Sequence, residues 1–279
     1  MAYKTFISVD ELARQIGKPD WVVVDCRFDL DDVAAGRKLY LEAHLPGAVY
    51  ADLYRDLASP PGAETGRHPL PDINVLASTF SRLGIGEDTQ VVAYDLPFAA
   101  RLWWLLRFSG HHSVAILDGG LSAWLASGHD IRKGEELRPP TNYTPQIDTS
   151  MVVDTDEILA SLQTGGGLLL VDSRSPERYR GEKEPRDPVA ARIPGAVNRF
   201  WGDNLNSDGF IRPRAELLQA FQPLLGAHAP KDTAVYCGSG VTAAVNSLAM
   251  EHAGLEKIRL YPGSWSMWCS DPSRPIERG

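Results

Sequence analysis

The chain has 279 residues, 43% hydrophobic and 23% charged, which describes a globular protein long enough for two domains of ordinary size. A formal charge of −8 argues against a nucleic-acid role, which needs a basic face, but leaves room for a local basic pocket around a small anion. No apolar run approaches the ~20 residues that span a bilayer, and Met1–Asp10 lack the apolar core and cleavage site of a signal peptide. The three cysteines, Cys26, Cys237 and Cys269, form no CxxC pair and no zinc pattern, so a cytoplasmic protein without membrane, nucleic-acid or metal partners is expected.

The first strand signal is Trp21–Cys26, whose terminal thiol reads as a core side chain. It is followed by His44-Leu-Pro-Gly-Ala-Val49, by helical patterns over Asn74–Leu83 and Ala100–Phe108, and by the segments Asp88–Asp95 and Leu117–Trp124. His111 and His112, at the start of a strand pattern, read as structural. Ser127–Ser150 is polar and carries Pro139, Pro140 and Pro145, which sets a linker at 139–150.

The same text then returns. Leu169–Asp172 repeats Val22–Asp25, and Arg192–Val197 repeats His44–Val49. Asp232–Cys237 repeats Asp88–Asp95 with a gap of two residues, and Tyr261–Trp268 repeats Leu117–Trp124. Helical patterns recur over Arg214–Leu225 and Val241–Ala253. Ordered matches of this kind mean a tandem duplication, residues 1–138 and 151–279. Short β-branched runs alternating with helical patterns predict an α/β fold in each half, a parallel sheet flanked by crossover helices.

Cys237 ends the strand signal Thr233–Cys237 and enters Gly238-Ser-Gly-Val-Thr242, ahead of an alanine-rich helix. A thiol there faces backbone N–H groups and the positive end of a helix, which favour the thiolate, although a buried core cysteine fits the same place. The first half has Asp95 at the matching position, followed by Leu96-Pro97 in place of glycines. A carboxylate cannot act as a sulfur nucleophile, so that half reads as a non-catalytic partner. Locally, Arg178 suits a surface ion pair as well as a ligand site, on a helix opened by Ser175 and Pro176. Arg174 reads as the internal salt-bridge partner of Asp172.

The strand–Cys–Gly-Ser-Gly-Val-Thr–helix element on a duplicated α/β chain resembles the rhodanese-like sulfurtransferases over essentially the whole length. Cys-Gly-Ser-Gly-Val-Thr is similar to the loop of the members that use 3-mercaptopyruvate; those that use thiosulfate tend to carry basic side chains where this chain has Gly238 and Ser239. The resemblance implies two tandem rhodanese-like domains, the second catalytic. It implies a Cys237 persulfide cradled by Gly238, Ser239, Gly240, Val241 and Thr242, and a donor carboxylate held by Arg178 and Arg186. It further implies a relay of Ser239, His68 and Asp52. Sulfur would pass from a small-molecule donor to cyanide, a thiol or a thioredoxin-like dithiol, with pyruvate released and no cofactor needed. A thiosulfate sulfurtransferase, a persulfide carrier for one dedicated partner and a purely structural pair of domains are the alternatives. A cysteine phosphatase is disfavoured because position 243 is alanine where such a loop needs arginine.

Overall fold

The computed structural model describes residues 2–62 and 64–279. Contacts divide the chain into two compact units, one of Met1–Ser59, Pro71–Asp148 and Asp208–Phe210, the other of Pro60–Leu70, Thr149–Ser207 and Ile211–Gly279. Three segments depart from the expected segmentation, one of them the short Asp208–Phe210, which comes from the second half of the sequence yet groups with the first unit. Most of the stretch expected as a linker packs on the first unit: the Tyr143 ring meets Phe80 edge-on at 5.1 Å, and its hydroxyl lies 2.7 Å from Ser109 Oγ. Pro60–Leu70 comes from the first half of the sequence yet belongs to the second unit, where Arg67 N–H donates to Ser266 Oγ at 3.1 Å.

The first unit runs β1 (Phe6–Ile7), α1 (Val9–Ala13), β2 (Trp21–Asp25), α2 (Ala35–Glu42), β3 (Val49–Tyr50), α3 (Ile73–Arg82), β4 (Gln90–Tyr94), α4 (Phe98–Phe108), β5 (Val114–Leu117) and α5 (Gly120–Ala126). Its strands pair in parallel in the order β1-β5-β4-β2-β3. Both faces of a parallel sheet are covered, which is why Trp21-Val-Val-Val-Asp25 and Gln90-Val-Val-Ala-Tyr94 are buried at every position. His111 and His112 precede β5 rather than open it, and burial pushes the His111 imidazole below its usual pKa.

The second unit runs α6 (Thr155–Thr164), β6 (Leu169–Asp172), α7 (Pro176–Tyr179), β7 (Val197–Asn198), α8 (Arg214–Leu225), β8 (Thr233–Tyr236), α9 (Ala243–His252), β9 (Arg259–Leu260) and α10 (Ser264–Trp268). Its parallel sheet has the order β7-β6-β8-β9. Helix α9 is buried from Ala243 to Met250, so its small residues bring the backbone close to the sheet. Matching side chains build the two cores: Leu45, Tyr94 and Trp124 in one, Ile193, Tyr236 and Trp268 in the other.

A polar network is duplicated with the cores. In the first unit Arg27 grips Asp25 through Nε (3.1 Å to Oδ1) and Nη2 (2.5 Å to Oδ2), while the Tyr94 hydroxyl donates to Asp25 Oδ2 at 2.6 Å. In the second, Arg174 grips Asp172 at 3.0 and 2.6 Å, and the Tyr236 hydroxyl accepts from Ile193 N–H at 3.3 Å. The expected Arg174–Asp172 pairing is thus present, and it is fully buried.

The repeats part at the end of the fourth and eighth strands. Asp95 has a left-handed backbone (φ 69°), and its Oδ1 accepts from Leu121 N–H at 3.0 Å. A Cβ on Gly120 would stand 2.0 Å from that oxygen, so glycine makes the cap possible. Burial raises the Asp95 carboxyl to about 6 despite Leu121 N–H and Arg27, with Asp25 adding to the rise. A raised acid is most stabilising when protonated, so its contribution is present at low pH and lost as pH rises from about 4 to 6. Asp95→Asn removes the charge and tolerates the backbone angle. It is expected to stabilise the fold by on the order of 1–2 kcal/mol near neutral pH and not at pH 4, as read from melting temperatures at the two pH values.

Candidate active site

Cys237 follows β8 directly and lies at the mouth of the loop that leads into α9. It is 2% exposed. Burial pushes the thiol up, but hydrogen bonds from the Thr242 hydroxyl and the N–H groups of Ser239, Ala243 and Gly240 together outweigh it and hold the thiol below its ordinary value. The cradle therefore reaches Ala243, and Thr242 enters it through its side chain. This is also why α9 begins at Ala243, two residues later than the sequence pattern suggests: Val241, which is buried, and Thr242 belong to the loop.

A second loop clamps the first. Ser264 Oγ accepts from Cys237 N–H at 3.2 Å and donates to Tyr261 O at 2.9 Å. Trp265 and Ser266 N–H donate to the carbonyls of Cys237 (3.0 Å) and Gly238 (2.9 Å). Ser264 has φ 53°, the conformation that Gly120 adopts at the matching place in the first repeat (59°). Gly240 (φ 74°) passes so close that a Cβ would meet Pro262 O at 2.6 Å, which excludes other residues on both counts.

Gly238 is packed against guanidinium groups. A Cβ there would stand 2.7 Å from Arg67 Nη2 and 3.1 Å from Arg178 Nη2. Both cations are held by buried carboxylates. Arg178 bonds Glu184 through Nε (3.0 Å) and Nη2 (2.6 Å) and lies 3.6 Å from Asp187; Arg67 takes both oxygens of Asp187 at 2.9 and 3.0 Å. Glu184 also accepts from Arg174 Nη1 at 3.1 Å. An ion-pair chain thus runs Asp172–Arg174–Glu184–Arg178–Asp187–Arg67, from the sheet to the nucleophile loop. Bidentate forks fix each guanidinium plane.

The structure sorts the expected site residues. Cys237, Gly238, Ser239, Gly240, Val241, Thr242 and Arg178 come together. His68 joins them through the 60–70 segment, its Nδ1 2.7 Å from Ser239 Oγ with both side chains buried. Arg186 is exposed, and its backbone N–H donates to Glu184 Oε1 at 3.1 Å. Asp52 lies in the first unit, where its Oδ1 accepts from Tyr54 and Arg55 N–H at 2.9 and 3.0 Å and caps a turn. Four contributors went unread in the sequence: Arg67, Glu184, Asp187 and Ser264. Arg67 sits beside His68, the acids lie in the charged stretch of Arg178, and Ser264 aligns with Gly120, but no local pattern gives any of them a partner. Among the described residues no group of three or more His, Cys, Asp or Glu could hold a metal ion, and no helix is long and apolar enough to cross a membrane.

Comparison with known proteins points to one family. The rhodanese-like domain model matches twice, over residues 8–127 and 154–271. A Pseudomonas aeruginosa protein named "Probable 3-mercaptopyruvate sulfurtransferase" is 45% identical over 284 residues, 100% of both chains. Thiosulfate sulfurtransferase of Corynebacterium glutamicum is 32% identical, with 98% of this chain and 90% of that protein covered. The crystal structure of a 3-mercaptopyruvate sulfotransferase of Escherichia coli superposes with a TM-score of 0.81 at 30% identity, covering 95% of this chain and all of that one.

Proposed function

The chain belongs to the rhodanese-like family of sulfurtransferases, and from that premise we propose that it takes sulfur from 3-mercaptopyruvate onto Cys237 and passes it to cyanide, a small thiol or a thioredoxin-like dithiol. The observation that carries this reading is a thiol held below its ordinary pKa by the Thr242 hydroxyl and the amides of Ser239, Gly240 and Ala243, with the Arg178 guanidinium beside the next residue. A persulfide anion needs the same donors, so the loop suits both states of the cysteine.

The first step is attack of the Cys237 thiolate on the donor sulfur. The new S–S bond forms as the donor C–S bond breaks, and the electron pair goes to carbon as the enolate of pyruvate. The thiol proton of the donor balances the step by ending on that carbon. Ser239, hydrogen-bonded to His68, is the proposed carrier of this proton; Asp52, committed to its own turn, receives no role. Arg178 holds the donor carboxylate, with the exposed Arg186 of the same segment as the second candidate. The acceptor then removes the outer sulfur and returns the thiolate. The first unit, with Asp95 in the nucleophile position, acts as the non-catalytic partner. Three free thiols support action in a reducing cytoplasm.

Intact-mass measurement after incubation with 3-mercaptopyruvate is expected to show a gain of one sulfur, mapped to Cys237 and removed by cyanide as thiocyanate. No gain, or a gain elsewhere on the chain, refutes the proposal.

A further inference from the structure

We propose that Arg67 is a donor-specificity residue: it supplies the charge that Gly238 and Ser239 lack and lets this loop use a compact dianionic donor, thiosulfate, besides an α-keto acid thiol. The inference rests on the sulfurtransferase reading above and concerns which donors the same cysteine accepts.

Position is the first argument. Arg67 Nη2 would lie 2.7 Å from a Cβ at residue 238, closer than either terminal nitrogen of Arg178 (3.1 and 3.5 Å). Gly238 and Arg67 are therefore complementary, because any side chain at 238 would displace the guanidinium. A loop that carries its own basic residue and a loop that borrows one from another segment place a cation at the same spot by exclusive routes.

Orientation is the second. Asp187, with 3% of its side chain exposed, takes Arg67 Nε and Nη2, and Ser266 Oγ takes the Arg67 backbone N–H. Each terminal nitrogen of a guanidinium carries two hydrogens, so Nη2 can bond Asp187 and still present an N–H to the loop.

Charge placement in the donor is the third. In thiosulfate the anionic oxygens are bonded to the atom next to the transferred sulfur, whereas two carbons separate that sulfur from the carboxylate of mercaptopyruvate. Coulomb attraction falls with distance, so a cation beside residue 238 favours the sulfonate end more. The Cys237 thiolate bonds to the outer sulfur, the bond to the sulfonate sulfur breaks, and its electron pair leaves with sulfite. Three negative charges enter as thiolate and thiosulfate and three remain, one on the persulfide and two on sulfite. Arg67 stabilises the two that gather on the leaving group.

The test is kcat/KM for thiosulfate and for 3-mercaptopyruvate, with cyanide as acceptor, in the wild type, Arg67→Ala, Arg67→Gln, Arg67→Lys and the double variant that combines Arg67→Ala with Gly238→Lys. Wild type is expected to use both donors. Arg67→Ala should lose roughly 30-fold or more with thiosulfate and less than about 5-fold with mercaptopyruvate. Arg67→Lys should recover part of the thiosulfate rate. The double variant, whose new ammonium occupies the vacated space, should recover more. If Arg67→Ala does not fold, Arg67→Gln gives the same comparison. Equal losses on both donors, or no rescue by adding Gly238→Lys, would show a purely structural ion pair and overturn the assignment. Wild-type turnover of mercaptopyruvate without thiosulfate overturns it too and leaves the proposed function standing. Turnover of neither donor ends both.

Discussion

Cys237→Ser is expected to lower sulfur transfer from 3-mercaptopyruvate to cyanide by about 10⁴-fold or more, the scale on which removal of a covalent nucleophile acts. The loop should survive the change. Serine is nearly isosteric, its hydroxyl can accept from the Thr242 hydroxyl and the amides of Ser239, Gly240 and Ala243, and the position is already almost closed to solvent. Those donors bring the thiol down from its reference value of 9.0. A serine hydroxyl starts several pH units higher, so the same donors leave it protonated, and oxygen forms no persulfide. Melting within a few degrees of wild type together with lost turnover locates the defect in the chemistry. Retained turnover would remove Cys237 from the mechanism. In the wild type, alkylation by iodoacetamide should rise with pH along a titration whose midpoint lies below that of an ordinary cysteine. Thr242→Val, which takes one donor from the sulfur, should move that midpoint up.

Arg174→Ala should be strongly destabilising to the second unit. Its guanidinium is fully buried and bonded to Asp172 at two points, to Glu184 at 3.1 Å and to Ala191 O at 2.8 Å, and it stacks on Trp265 at 4.9 Å. Burial opposes its charge, yet Asp172, Tyr236 and Glu184 more than reverse that effect and raise its pKa. Truncation leaves Asp172 in the interior without its cation and takes from Glu184 one of its two guanidinium partners, Arg178 remaining. Breaking a buried pair this way costs about 3–5 kcal/mol. At about 2–4 °C per kcal/mol, the unit should melt at least about 6 °C lower in differential scanning calorimetry. Its first-unit counterpart, Arg27→Ala, should lose less, because water reaches 13% of that side chain and can follow into the space it vacates beside Asp25. A drop under about 2 °C for Arg174→Ala would show that the ion-pair chain does not hold the unit together. A normal melt with weakened donor binding would confine its role to placing Arg178.

Much of this protein was legible without coordinates, for a physical reason. Duplication writes the same apolar runs, turns and tryptophans twice, and parallel strands buried on both faces need unbroken apolar text, so the two α/β layers follow from periodicity alone. Cys237 was legible because strand, small-residue loop and helix are contiguous, and an amide cradle is a local structure. The resemblance carried Arg178 and His68 to positions where the structure places both at the loop. It carried Arg186 to an exposed position and Asp52 to a turn in the first unit.

What the chain order could not convey is long-range pairing. Residues 60–70 group with the second unit, which delivers Arg67 and His68 to a loop some 170 residues away (|i−j| = 171 for His68 and Ser239). Asp187 reaches Arg67 across 120 residues. The choice of Ser264 to hold the Cys237 amide and the need for a bare Gly238 depend equally on neighbours from distant sequence. The amino-acid sequence by itself thus determined the fold of each repeat and the place of the candidate cysteine, because both arise from contiguous residues. Only tertiary structure decided which cations stand beside Gly238, because a guanidinium is placed by the carboxylate that binds it, and that partner can come from anywhere in the chain.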